Sequence, residues 1–398
     1  MKKLISALLS ICLCLATVFS FVCCGQTSDI SGNGDSEVEL PEMPVTPSEG
    51  LEYQLTEDGT GYIFTGTGNC MDANIRIADE YNSLPVVKIG ENAFNSVHGG
   101  MISLTIGKNI SEVVTGIESP ISHLSLQAFF VVEGNTAYKG MDENLYTADG
   151  SVLIKYAVES TRESYVLPET VVEIQDNAFN GSKNITSLTI PEGVEVIEDY
   201  AFTYCRKLNS IQIPSTVSSL GKALTEGSQI SEISVAEGNA VYKAIDGVLY
   251  TKDGKELLEY PAAKQDESFS VPEGVVTIKA GSFTKCKLLK NIVLPMSVRT
   301  IENSAFAGCS GLESAELTFG IEAIEAWAFG DCVELKSIKL TFSLYRVDDN
   351  AFNGCTKLSQ IFYDADKNIW EMMSYNYEWM DKIPLEKVVC TDGEIVIE

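Results

Sequence analysis

A phenylalanine that returns at a fixed interval constrains this chain more than any other feature. The fragment Ala-Phe, once Ser-Phe, places Phe94, Phe179, Phe202, Phe283, Phe306, Phe329 and Phe352 at gaps of 85, 23, 81, 23, 23 and 23 residues. A cysteine follows the last five of these at +3 (Cys205, Cys286, Cys309, Cys332, Cys355), and a leucine follows them at +6. A register held at fixed period is the mark of a repeat array, in which each unit buries its apolar side against its neighbours.

One unit runs from Pro191 through Val194, Ile197, Ala201-Phe202, Cys205 and Leu208 to Ile211 and Ile213. The segment Leu208-x-x-Ile211-x-Ile213 alternates with period 2 and predicts a short strand with one buried face. Equivalent segments end at Ile77, Ile106, Val131, Leu167, Ile190, Val235, Val271, Leu294, Leu317, Leu340 and Tyr363, about twelve rungs in all. The pair Val194/Ile197 recurs on the opposite side (Val171/Ile174, Val275/Ile278, Val298/Ile301), so each unit carries two apolar stripes with a phenylalanine between them. Proline just after the strand fits a place where the ladder stops and no N–H is needed. A second period overlies the first: residues 133–156 align with 237–260 at an offset of 104. Both copies hold Asp-Gly between apolar runs (Asp149-Gly150, Asp253-Gly254), a tight-hairpin signature, so two turns are expected to be enlarged by a hairpin protruding from one side.

The pattern AFxxCxxLxxIxIPxxVxxI resembles the BspA-like leucine-rich repeats of bacterial surface proteins, over nearly all of 51–398. Residues 51–70 (LEYQLTEDGTGYIFTGTGNC) are similar to that family's N-terminal cap, and IFYDADKNIWEMM with VVCTDGEIVIE to its C-terminal cap. The resemblance implies a right-handed leucine-rich-repeat solenoid, mostly β with short helical turns and capped at both ends. It also implies adhesion, in some members to host matrix proteins such as fibronectin and fibrinogen. The chain departs from the pattern at Gly99-Gly100, at a missing Ala-Phe near Pro120, and at Ala223-Leu224, one residue early.

The organisation read from these features has five parts. Residues 1–23 are an export signal, with Lys2 and Lys3 before an apolar run from Leu4 to Val22. That run fits a lipoprotein signal acylated at Cys24 (or Cys23), a plain cleaved signal, or an uncleaved anchor, since about 19 apolar residues just span a bilayer. Residues 24–50, without Lys, Arg or aromatics, form an acidic disordered tether spanning about 28 Å as a coil. The N-terminal cap with the first rungs occupies 51–94, the solenoid 95–363 with inserts at 132–164 and 236–268, and the C-terminal cap 364–398. The chain is expected outside the cell, as a surface lipoprotein or a secreted protein. It touches membrane only through a lipid anchor and is expected to be monomeric. With 28 basic against 56 acidic residues, its net charge of −28 makes nucleic acid a poor partner.

Chemistry is hard to place on such a chain. Five cysteines at one repeat position stack in a column, so buried packing explains them better than disulfides or zinc, whose ligands must converge. His98 and His123 are the only histidines and neither neighbours a nucleophile. Asp364-x-Asp366-x-Asn368 begins like a calcium loop, but Ile369 stands where glycine is required. The sequons at Asn109 and Asn184 carry no weight in a bacterial chain. Trp370, Tyr375, Tyr377 and Trp379 form either an aromatic platform or, more in keeping with a solenoid, the seal on its last rung. No enzymatic activity, metal or cofactor is expected.

What remains is a surface. In each strand the positions between the apolar ones face the open, concave side, about 55 Å long at ~4.8 Å per rung. Its column carries Arg76, Thr105, Phe130, Thr189, Gln212 and Glu316, then Lys339 and Phe362; the column two residues earlier carries Glu232, Asn291 and Gln360. This short-chained, polar face with Phe130 and Phe362 as exposed aromatics is the candidate binding surface. Its expected partners are extracellular proteins, host matrix proteins among them, or glycans; a structural spacer without ligand is the third reading.

Overall fold

A computed structural model describes residues 40–96, 100–113, 119–373 and 379–397. The export signal, Cys24, His98, Tyr375 and Tyr377 lie outside the described residues.

All twelve alternating segments form strands, from Asn74–Arg76 to Gln360–Tyr363, and Lys387–Cys390 adds a further one. Where they pair they are parallel, with identical repeat positions in register: Ser314, Ser337 and Gln360 align, as do Ala315, Ile338 and Ile361, whereas Ser187–Thr189 and Ser210–Ile213 are neighbours that belong to two separate sheets. The Val/Ile pair of each unit makes a second, two-residue strand on the back (Thr277–Ile278, Thr300–Ile301, Ala323–Ile324), again parallel. Between back and front strands the Ala-Phe segment closes the turn. No helix forms there among the described residues. Each loop is tied to the next rung instead, with the amide of Phe283 donating to Ala305, Phe306 to Ala328 and Phe329 to Ala351 at 2.7–2.8 Å. Thus all three sides of a rung hydrogen-bond to the next, which satisfies backbone groups that a lone rung would leave bare. The one described α-helix, Lys367–Met373, belongs to the C-terminal cap.

The phenylalanines stack inside the array. Tyr156, Phe179 and Phe202 form one column, with centroids 5.0 and 5.6 Å apart. Tyr260, Phe283, Phe306, Phe329 and Phe352 form a second at 4.7–5.3 Å, which ends on Trp379. Trp379 is 1% exposed, so it seals the last rung. Offset stacking adds about 0.5–1.5 kcal/mol per ring pair beyond the burial itself.

The inserts do not protrude. Each is a three-stranded antiparallel meander: Tyr138–Met141, Asn144–Thr147 and Val152–Lys155, then Tyr242–Ile245, Val248–Thr251 and Glu256–Glu259. The Asp-Gly pairs lie in the second turn of each meander. The tight turns are Asp142-Glu143 and Asp246-Gly247, whose φ values of 49° and 60°, 50° and 78° give the type I′ twist of two-residue hairpins. The middle strand is buried on both faces, because neighbouring side chains enter different cores. Leu145 packs with the rungs before it and Tyr146 with those after; Leu249 and Tyr250 divide in the same way. The meanders therefore split the interior into three clusters, and the solenoid into three blocks.

Both ladders break at these dividers. The first front sheet ends at Ala128–Val131, where the Phe129 amide donates to Glu143 in the hairpin turn at 2.8 Å. At the second divider the Ile233 amide donates to Gly247 at 3.0 Å. The third strand of each meander opens the next back ladder. The N-terminal cap repeats the device, since Glu52–Leu55 and Tyr62–Gly66 pair around a turn in which Thr56 donates to Asp58 at 2.7 Å. Thr147 on Asp149 and Thr251 on Asp253 are its counterparts, at 2.7 and 2.8 Å. Each block thus begins with one hairpin.

Candidate binding surface

The front sheet is not one open face, and its first block is largely closed. Arg76 donates to the Pro44 carbonyl at 3.0 Å and pairs with Asp79 at 3.2 Å, while the Ser48 amide donates to the Arg76 carbonyl at 3.0 Å. Residues 40–50, expected to belong to a tether that buries nothing, in fact cover the edge of the first strand. Thr105 aligns between Arg76 and Phe130 and is fully buried beneath these larger side chains. Phe130 is half-buried, and Gly140 of the first meander packs against the backbone at Phe129 and Val131, where a Cβ would come within 3.4 Å.

The second and third blocks hold the open face. Thr189, Gln212 and Glu232 are exposed in the second. In the third, Asn291 and Glu316 are exposed, Lys339 and Gln360 partly so, and Phe362 is 41% exposed. Glu316, Lys339 and Phe362 align directly across three rungs, and Lys339 faces Asp364 at 3.9 Å. Ser314 donates to Asn291 at 2.7 Å in the adjoining column. The structure therefore brings together five candidates in the third block, Phe362 among them, and separates them from the three of the second block and the three of the first.

Sequence reasoning missed a second surface at the corner just after the front strand. That column reads Glu169, Glu192, Ser215 and Glu273, then turns apolar at Met296, Phe319 and Phe342. All three are exposed, and the rings of Phe319 and Phe342 touch with centroids 5.0 Å apart. The polar-to-apolar switch at a position with no interior role was the signal available.

The cysteine column is buried and its thiols are free. Each donates to the carbonyl of the preceding rung's aromatic residue: Cys205 to Phe179, Cys286 to Tyr260, Cys309 to Phe283, Cys332 to Phe306 and Cys355 to Phe329, at 3.0–3.6 Å. Burial raises the thiols of Cys286 and Cys332 and pushes that of Cys205 up to about 12, so none of these three is a reactive thiolate. Two buried charged side chains stand 104 residues apart. Lys155 donates to the Asn177 carbonyl at 2.7 Å, and burial lowers its ammonium to about 7. Glu259 accepts from the Leu224 and Thr225 amides and the Thr225 hydroxyl at 2.6–3.1 Å, while burial pushes its carboxyl up to about 8. They finish the two ends of the middle block's loop ladder, Lys155 on its bare carbonyls and Glu259 on its bare amides. Among the described residues no three His, Cys, Asp or Glu converge as a metal site, and no helix is long and apolar enough to cross a membrane.

Residues 156–245 and 262–379, just over half of the chain, match the family described as BspA type leucine rich repeat region, in six copies. The chain belongs to that family. Two solved structures share the fold of this BspA-type chain. The pneumococcal vaccine antigen PcpA is 23% identical, over 81% of this chain and 82% of its own, with a TM-score of 0.54. A leucine rich cell surface protein from Faecalibacterium prausnitzii A2-165 is 23% identical, over 84% of this chain and 99% of its own, with a TM-score of 0.53. No curated protein matches.

The BspA-type array also opens clefts where its dividers interrupt the loops. One of about 390 Å³ is lined by Tyr200, Lys222, Glu226, Thr284, Lys285 and Ser304. Lys285 bridges it, paired with Glu226 at 2.7 Å, bonded to the Tyr204 hydroxyl, and lying 4.7 Å above the Tyr204 ring. Its counterpart at the first divider, about 400 Å³, is lined by Ser122, His123, Asn177 and Asn180.

Proposed function

We propose that this chain is exported and displayed outside a bacterial cell, where it binds extracellular proteins through the front sheets of its second and third blocks. One observation carries the reading: side chains from successive rungs align on an open sheet, with exposed Phe362 beside Lys339, Glu316 and Gln360. Short polar side chains across parallel strands give a flat, adaptable surface, and one exposed aromatic supplies an anchor of the kind that dominates binding energy. Descriptions of similar structures as a cell surface protein and a vaccine antigen support an extracellular place. Acylation of Cys24, with residues between it and Leu40 as a spacer, would hold the blocks away from the membrane. Host matrix proteins are the first class to try.

Immobilised fibronectin, fibrinogen and other matrix proteins, presented to the full chain, form the test. At least one is expected to bind, and Phe362→Ala to weaken it by tenfold or more, the cost of a central aromatic anchor being about 2 kcal/mol or above. Binding that ignores Phe362→Ala together with Gln212→Ala removes the front sheet as the site. For the anchor, a tagged fatty acid fed to the producing cell should label the chain and spare Cys24→Ala.

A second reading, glycan capture, is favoured by the hydroxyl-lined clefts at the dividers. A glycan array probed with the chain separates the two, since hits lost on Tyr200→Ala but kept in Phe362→Ala place the ligand in the cleft.

A further inference from the structure

The corner column of the third block changes character where no packing demand explains it. Glu273 occupies it in one rung, and Met296, Phe319 and Phe342 in the next three, exposed by 60%, 47% and 51%. Tyr345, three residues past Phe342, is 71% exposed. The interior aromatic column is complete without them. Contiguous exposed apolar side chains on a chain this polar mark an interaction site.

The charges beside the strip identify what it takes. Glu273 lies at its start and Glu316 three residues before Phe319; both are exposed, and neither has an ion pair among the described residues. The neighbouring bases are engaged. Arg299 donates to the Met296 carbonyl at 2.7 Å and meets Glu322 at 3.7 Å, and Lys339 faces Asp364. A second copy of this chain, at −28, would meet like charge. Residues 25–50 are no better, having no Lys or Arg, and residues 40–50 lie on the first block. The strip advances one side chain per rung, about 10 Å across its three rungs at ~4.8 Å each, which suits a chain lying across the strands.

We propose that Met296, Phe319, Phe342 and Tyr345 form a docking strip for an extended, basic segment of another protein, its apolar side chains on the rings and its Lys or Arg at Glu273 and Glu316. The assignment deepens the protein-binding reading above by naming the partner's chemistry and the part of the chain that meets it. Ring faces attract ammonium and guanidinium groups as well as apolar ones, so one strip serves both halves of such a segment.

The test is fluorescence anisotropy of labelled (Lys-Pro-Leu)4 with the full chain, beside (Gln-Pro-Leu)4 and (Glu-Pro-Leu)4. The basic peptide is expected to bind at least tenfold more tightly than the other two and to weaken as salt rises. Phe319→Ala with Phe342→Ala should lose at least tenfold, and Glu273→Gln with Glu316→Gln about threefold with a flatter salt response. Met71→Ser, an exposed apolar side chain of the N-terminal cap outside both proposed surfaces, should change nothing. All substituted side chains are exposed, and an unaltered circular dichroism spectrum checks that the fold is kept. Basic-peptide binding that is absent, equalled by the acidic peptide, or untouched by the double phenylalanine variant overturns the strip. If matrix proteins bind and the strip variant leaves them unaffected, the strip fails alone. If only the basic peptide binds, through the strip, the front-sheet reading fails and the strip stands.

Discussion

Lys155 and Glu259 show what a single position can be asked to do in a repeat array. They occupy the same place in the two inserts, yet one end of a loop ladder offers carbonyls and the other amides, so a donating amine answers one end and an accepting carboxyl the other. Their buried states give stability an unusual pH course. Glu259 ionises near 4.5 when unfolded and near 8 when folded, so the fold holds an extra proton between these values and its contribution falls as pH rises through them. Lys155 is the mirror case: unfolded it keeps its proton to about 10.5, folded only to about 7, and its contribution rises across that window. Each limb has a limiting slope of about 1.4 kcal/mol per pH unit. Denaturation of the middle block, followed against pH, is expected to show least stability near pH 7–8. Glu259→Gln should flatten the acid limb and Lys155→Met the alkaline one; limbs that survive both changes exclude these groups as the source. Neither residue announced itself in LIKY and LLEY, because the groups they satisfy come from other rungs. The cysteines were legible as interior from their shared register. Their bonds to the preceding carbonyls were not, since they depend on how loops stack.

Strands were the most legible elements, because an apolar residue at every second position has one physical meaning when it recurs in register. The meanders were half legible. Asp149-Gly150 and Asp253-Gly254 marked turns, but Asp142-Glu143 carries no glycine and gave no sign of the tighter one. Nor did composition show that the middle strand would be buried, because Asn-Leu-Tyr and Val-Leu-Tyr read equally as an exposed hairpin arm. What fixes each meander in place is an asparagine. Asn239 donates to the Pro214 and Val217 carbonyls at 2.8 and 3.0 Å and accepts from the Val241 and Tyr242 amides at 2.9 and 2.7 Å. Asn135 makes the same four bonds to Gly107, Ile110, Ala137 and Tyr138, at 2.8–2.9 Å. No other side chain of this size offers two donors and a twofold acceptor. Asn239→Ala, which strands buried backbone groups, is expected to cost about 2–4 kcal/mol. Asn239→Asp keeps the shape but turns an oxygen toward two carbonyls, and should cost at least as much. Thermal melts of the two variants decide the matter, an isosteric aspartate that melts like the parent showing that shape alone holds the meander.

At the scale of the molecule, the 104-residue super-period was visible in the sequence, and its consequence was not. The front face was expected to run unbroken past twelve rungs, whereas the dividers cut it, and side-chain size at Arg76 and Phe130 closes its first part. The same dividers make three cores, and a solenoid's stability is close to a sum of unit terms and nearest-neighbour terms. Unfolding should therefore proceed by blocks unless the dividers couple them tightly. The buried thiols report on this directly, with Cys70 in the first core, Cys205 in the second, and Cys286, Cys309, Cys332 and Cys355 in the third. Each reacts with a labelling reagent only when its block opens. Leu249 and Tyr250 are adjacent on one strand and feed the second and third cores. Leu249→Ala, at about 2–5 kcal/mol for a buried leucine, should speed labelling of Cys205 and leave Cys309 near its parental rate. Tyr250→Ala should do the reverse. If both variants speed all these thiols equally, the meander transmits every loss across itself, and the three cores are one cooperative unit despite their separate packing. If the effects divide, each meander is a firebreak, and the third block, which carries both the Phe362 face and the corner strip, can stay folded while its neighbours open.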